Sequence, residues 1–470
     1  MTGVGHPDSL PSGSPSLPRR RASSSAGSRF LTFSPRRLER AAALSVVTVL
    51  LLSTWGSALV NIRGYYVPEL LGPALAWYLL ARWPQLARSL WRSIVSPIGI
   101  AGAVWITLVA VLGGLFPGSA VGPYSEWRAT LILLFGFLFM YTRAGAQAEV
   151  WAVRLMWMSL GALSLDVLLI ALGVVWPGFL GQALPEEVGG RLQINAINLV
   201  VVAYLSTVSG RIGPLCMAVA LGGLMSLGGH RVVVLATAAS ALFLPIAVVA
   251  ALRSGRPWAR WLRVALAPLL VLAIVAGARS SVVENYLSDA TAIQYRLTVR
   301  TRDTIEGIRR GLTGYENVYF GDEAIRAAYA TYMLTEWPSL LLPHGLGSRE
   351  VVGHLSSEFD LVMLRFGVDP LNGNTHDNAL LYMTYHHGWL ATWVVGSVLL
   401  WLLLRRLQAE PTLLGRLEVG TAVLGVVLID LVYPPVPGIN IAGVYGMFLG
   451  ILLGRGRVLS VRRRPHPART

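Results

Sequence analysis

The apolar residues of this 470-residue chain are gathered into separated blocks, near 41–60, 65–81, 94–115, 129–142, 155–180, 194–209, 212–228, 232–252, 264–278, 388–404, 417–433 and 438–454. Most are about 17 to 25 residues long, the length of helix that crosses roughly 30 Å of hydrocarbon. Apolar residues make up 54% of the chain and charged residues 13%, against roughly a quarter charged in an ordinary soluble domain. Such a chain cannot cover itself with a solvated surface. The expected fold is an all-α polytopic membrane protein of about twelve transmembrane helices: 41–278 holds the first nine and 388–454 the last three.

Charge sets the expected sidedness. The formal +15 comes wholly from arginine, since the 39 basic residues include no lysine. Alternating sides from a cytoplasmic start puts Arg82, Arg88 and Arg92, Arg143 and Arg154, Arg211, the group from Arg253 to Arg263, Arg405, Arg406 and Arg416, and the group from Arg455 to Arg464 on the cytoplasmic face. Positive-inside topology explains these arginines without a nucleic-acid partner. Tyr65, Tyr66, Trp83, Trp91, Tyr124, Trp127, Trp176, Trp258 and Trp261 fall near the block boundaries, where aromatic rings favour the headgroup level.

Residues 1–40, rich in Ser, Pro and Arg and without apolar periodicity, read as a disordered basic cytoplasmic tail, and 455–470 as a second one. The first apolar run starts near Ala41 with no small-residue cleavage pattern after it, which argues against a cleaved signal peptide. Cys216 is the only cysteine, so an intramolecular disulfide and a cysteine-based metal site are both excluded.

The segment 279–387, without a spanning block, is far longer than an ordinary connector. It is expected as an extracytoplasmic loop carrying helices. Residues 290–312 set Arg296, Arg300, Arg302, Arg309 and Arg310 among aliphatic residues, a pattern suited to a basic helix at the membrane surface. Gly321-Asp322-Glu323 then opens a second helix over 324–334, stopped by Pro338.

Three features of the expected outer face bear on chemistry. Arg231 follows Gly228-Gly229-His230 at a helix start, where positive-inside statistics disfavour it; snorkelling to headgroups is the ordinary explanation. Arg326 lies in the second loop helix, upstream of Trp337-Pro338 and Pro343-His344-Gly345-Leu346-Gly347, and pairing with Asp322 explains the arginine alone. The Pro-x-Gly-x-Gly turn is a place where backbone could approach a ligand. His376 stands in Asn374-Thr375-His376-Asp377-Asn378, where Asp377 could tune the imidazole or simply cap the next helix. On a continuous helix His386 and His387 lie about 15 Å further along the axis, too far to share one reacting atom with His376. These histidines lack metal-ligand spacing, and no phosphate-binding or dinucleotide fingerprint appears. Asp166 and Asp430 fall inside apolar blocks; a buried membrane carboxylate suits proton coupling, although Asp430 is near enough to the boundary for hydration.

The ordered set of Arg231 at a helix start, Arg326 through Trp337-Pro338 to Gly345-Leu346-Gly347, and His376 with Asn378 leading into Gly388 resembles the O-antigen ligase family, over residues 190–400. The resemblance implies a GT-C-like membrane frame and a metal-independent, inverting glycosyl transfer with no cofactor at the outer face of the cytoplasmic membrane. It implies a glycan donor on undecaprenyl diphosphate and a glycan, lipid or protein acceptor. Arg231 and Arg326 inherit diphosphate binding, with Arg63 a further basic residue in the first outer loop; His376 inherits the role of base. The family often has Ser before the first arginine, where this chain has His230, and a His-Asn pair that Asp377 here interrupts, so Asp377 stands as the alternative base. A reading from another class is a solute or polysaccharide transporter with Asp166 in proton coupling.

Overall fold

The computed structural model describes residues 84–115, 121–143, 146–171, 196–226, 231–253, 379–430 and 439–454, with the strand pairs 61–62 and 65–66 and the short pieces 338, 341–343 and 345–346. All of these lie in the unit spanning Ala43–Thr470. They are almost wholly helical. In chain order the helices are α1 (Pro84–Ile94), α2 (Pro97–Gly114), α3 (Val121–Tyr141), α4 (Ala146–Ala171), α5 (Ala196–Ser209), α6 (Ile212–Ser226), α7 (Arg231–Ala241), α8 (Phe243–Arg253), α9 (Ala379–Ala409), α10 (Leu413–Asp430) and α11 (Ile439–Leu453).

Helices α2 to α11 overlap nine of the expected apolar blocks, with α7 and α8 sharing one. The blocks at 41–60 and 264–278 lie outside the described residues. So do the two expected tails and the two expected loop helices. The expected helix over 65–81 differs at its start: Tyr65–Tyr66 is a strand (β2) paired antiparallel with Asn61–Ile62 (β1).

Three helical stretches are long and apolar enough to cross a membrane: α2, the run Val232–Ala250 through α7 and α8, and Tyr382–Ala409 in α9. Their outer surfaces are apolar too. Ile98, Val104, Leu108 and Val111 on α2, and Leu390, Trp393, Val394, Leu400 and Trp401 on α9, are exposed. Water would not tolerate this wall; hydrocarbon does. The frame is that of a membrane protein.

At the centre stands α5. Every residue from Ala196 to Thr207 is buried, as expected for a helix apolar on all sides. It packs against α4, α6, α7 and α10, and its Tyr204 ring meets Phe243 and Phe448 edge-on. Elsewhere α3 and α11 run against each other along a glycine seam. A Cβ at Gly446 would overlap the Leu133 carbonyl oxygen, and one at Gly450 the Phe137 carbonyl oxygen. Small residues at this spacing let helix backbones approach in a solvent where burial of apolar surface supplies no drive.

Helix starts follow local chemistry. Ser96 caps α2 by accepting from the Gly99 N–H at 3.1 Å, with Pro97 in the first turn. Between α7 and α8 the Leu242 N–H still bonds the Ala238 carbonyl, so the two run on as one rod.

Candidate functional site

Of the residues expected to carry chemistry, Arg231 opens α7, although its side chain lies outside the described part. Arg63, Arg326, His376 and Asp377 also lie outside the described residues, as do Gly347 and the Asp166 side chain. What is described is the start of α9 with the short piece 345–346 packed against it.

That junction is built on α9. The helix begins at Ala379, nine residues before the expected block, and breaks at Gly388, whose φ of 82° and ψ of 158° are not helical. A Cβ there would lie 2.7 Å from the Leu341 carbonyl oxygen. Only glycine combines a positive φ with that close approach. The turn Tyr382–His387 is buried apart from a partly exposed Met383: His386 is 1% exposed, His387 3%, and Thr384 and Tyr385 are equally enclosed.

The segment ending at Gly345-Leu346 is threaded between α9 and α2. The Gly345 N–H donates to the His386 carbonyl at 3.2 Å, and the Leu346 N–H to the Val109 carbonyl at 3.0 Å. His386 Nδ1 lies 2.7 Å from the Gly345 carbonyl oxygen. A carbonyl oxygen only accepts, so Nδ1 carries the proton of this bond. Gly345 has a φ of 103° and meets Gly113 backbone to backbone; a Cβ on either would overlap the other segment. Gly345 therefore brings the chain against α2 and α9 in a packing role, while Gly347, the second glycine of the expected ligand-facing turn, lies outside the described residues.

A second tie joins the same turn to α3. The Tyr382 hydroxyl donates to Glu126 Oε2 at 3.0 Å, and Tyr382 is buried in an apolar cluster with Ile106, Val109, Ala129, Leu346 and Ala442. The Tyr382 and His386 rings lie 4.4 Å apart, centre to centre. Next to them His387 has no hydrogen-bond partner on either ring nitrogen among the described residues.

Sequence reasoning set His386 and His387 aside as too far from His376 to join its chemistry. Here His386 is a structural clamp that holds Gly345 against α9. The signal was its position two residues before a glycine that ends a helical turn. Among the described residues no group of three His, Cys, Asp or Glu side chains could hold a metal ion. Asp430 at the end of α10 accepts from the Tyr445 hydroxyl of α11, so boundary hydration is not its only support.

Compared with protein-family models, with curated proteins and with solved structures, the chain matches none.

Proposed function

We propose that this chain is an inverting, metal-independent membrane glycosyltransferase of the O-antigen ligase type. It has about twelve spans on a GT-C-like frame, both termini in the cytoplasm and the loop from 279 to the start of α9 outside the cytoplasmic membrane. The donor is a glycan on undecaprenyl diphosphate, and the acceptor a hydroxyl on a glycan, lipid or protein. The carrying observation is the reciprocal bonding of Gly345 and His386. It closes residues 345–386, the stretch that holds His376, into a loop with adjoining ends. His376 lies three positions before the start of α9, a chain reach of at most about 11 Å.

In this reaction His376, or Asp377 in its place, takes the proton of the acceptor hydroxyl. The oxygen attacks the anomeric carbon of the donor sugar from the side opposite the diphosphate. One glycosidic bond forms as the bond from that carbon to the phosphate oxygen breaks, and the configuration inverts. Undecaprenyl diphosphate leaves with the bonding pair. Arg231 and Arg326, with Arg63 a third cation, hold its oxygens; guanidinium matches phosphate bidentately and offsets the departing charge.

Mass spectrometry of surface and lipid-linked glycans in cells carrying His376→Ala or Arg326→Ala tests this reading. Accumulated full-length donor identifies a ligase, and accumulated single units a polymerase. Unchanged glycans in both variants contradict the proposal.

A further inference from the structure

Helix α1 is short and amphipathic, and its two faces have different partners. Ser89 and Ser93 meet the end of α3: Arg143 Nη2 donates to Ser89 Oγ at 3.1 Å, and Ser93 Oγ pairs with Thr142 Oγ1 at 3.2 Å. Ser93 is 1% exposed. The Arg143 guanidinium lies 3.7 Å over the Phe139 ring; burial lowers its pKa to about 10, which leaves it cationic at neutral pH. These contacts fix the roll of α1.

The other face carries Arg88, Trp91 and Arg92, at i, i+3 and i+4. All three are exposed, Trp91 by 65%. No acidic residue occurs in α1, and among the described residues neither Arg88 nor Arg92 has an acidic partner. Only Val95 and Ser96 separate α1 from α2, whose exposed Ile98 and Ile100 already belong to the apolar wall. The joint holds α1 at the depth where α2 enters the apolar layer. A face turned to bulk water explains the arginines but not an exposed tryptophan between them; tryptophan favours the headgroup level.

We propose that the Arg88, Trp91 and Arg92 face of α1 is a docking surface for anionic phospholipid headgroups. The two guanidiniums take the headgroup phosphates, and the indole lies beside the glycerol backbone. This surface stands apart from the transfer reaction and does not depend on it.

Native mass spectrometry of the full chain in detergent, titrated with phosphatidylglycerol and with phosphatidylcholine of the same acyl chains, reads the preference directly. A basic residue near an anionic surface contributes about fivefold, so two give a preference of about 25-fold for phosphatidylglycerol. Arg88→Gln with Arg92→Gln reduces it to less than about twofold, whereas Arg88→Lys with Arg92→Lys keeps most of it. Equal uptake of the two lipids by the unaltered chain overturns the proposal. So does an undiminished preference in the Gln pair, or stripping of the adducts by millimolar inorganic phosphate, which would mark a free-phosphate site.

Discussion

Gly345 and His386, 41 residues apart, bond each other twice: the glycine N–H to the histidine carbonyl at 3.2 Å and the histidine Nδ1 to the glycine carbonyl at 2.7 Å. The second bond requires a donor at the Nδ1 position. Asparagine carries its amide nitrogen close to that place, whereas alanine leaves the Gly345 carbonyl unpaired. His386→Ala is expected to cost about 1–3 kcal/mol, and His386→Asn clearly less. Thermal unfolding midpoints in detergent decide it. Equal midpoints for the two variants would mean that ring packing, not the bond, matters.

Gly388 tests the close approach of α9 to the loop end. Ala there faces a φ of 82° and the Leu341 carbonyl oxygen, at an expected cost of about 1–3 kcal/mol. Gly396→Ala, eight residues on and with nothing within 4 Å, is expected to be neutral or to stabilise by up to about 1 kcal/mol. The two unfolding midpoints should move in opposite directions, or only the first should fall.

The seam of α3 and α11 makes a similar contrast. Gly446→Ala forces the helices apart at Leu133, whereas Gly420→Ala on α10 meets nothing within 4 Å. Loss of about 1–3 kcal/mol is expected at Gly446 and none at Gly420. A Gly446 variant as stable as the unaltered chain would show that the seam is loosely packed.

Much of the helical frame is legible in apolar block length, because hydrocarbon thickness imposes it. Partners are not. The eleven residues of α1 are too few to register as a span, although the spacing of Arg88, Trp91 and Arg92 against Ser89 and Ser93 marks a two-faced helix. The start of α9 is hidden because His386 and His387 interrupt the apolar pattern; a histidine enters a buried turn when its bond is supplied by a distant carbonyl, here that of Gly345. The packing of Gly345 against α2 is likewise not legible, because a Pro-x-Gly-x-Gly turn suits a ligand approach as well as a close backbone contact. Of the expected site, only the backbone of Arg231, opening α7 as its sequence suggests, lies in the described part.

The central claim is that the chain itself forms a glycosidic bond. The most direct measurement is transfer by the purified protein in detergent, with lipid-linked glycan donor and acceptor, in the presence of a metal chelator and with no membrane gradient. The expected result is product with inverted anomeric configuration and free undecaprenyl diphosphate. That product is lost in Arg231→Ala, Arg326→Ala and His376→Ala and kept in Asp166→Asn. No product from the unaltered protein, together with gradient-dependent solute movement in vesicles that Asp166→Asn abolishes, would contradict it.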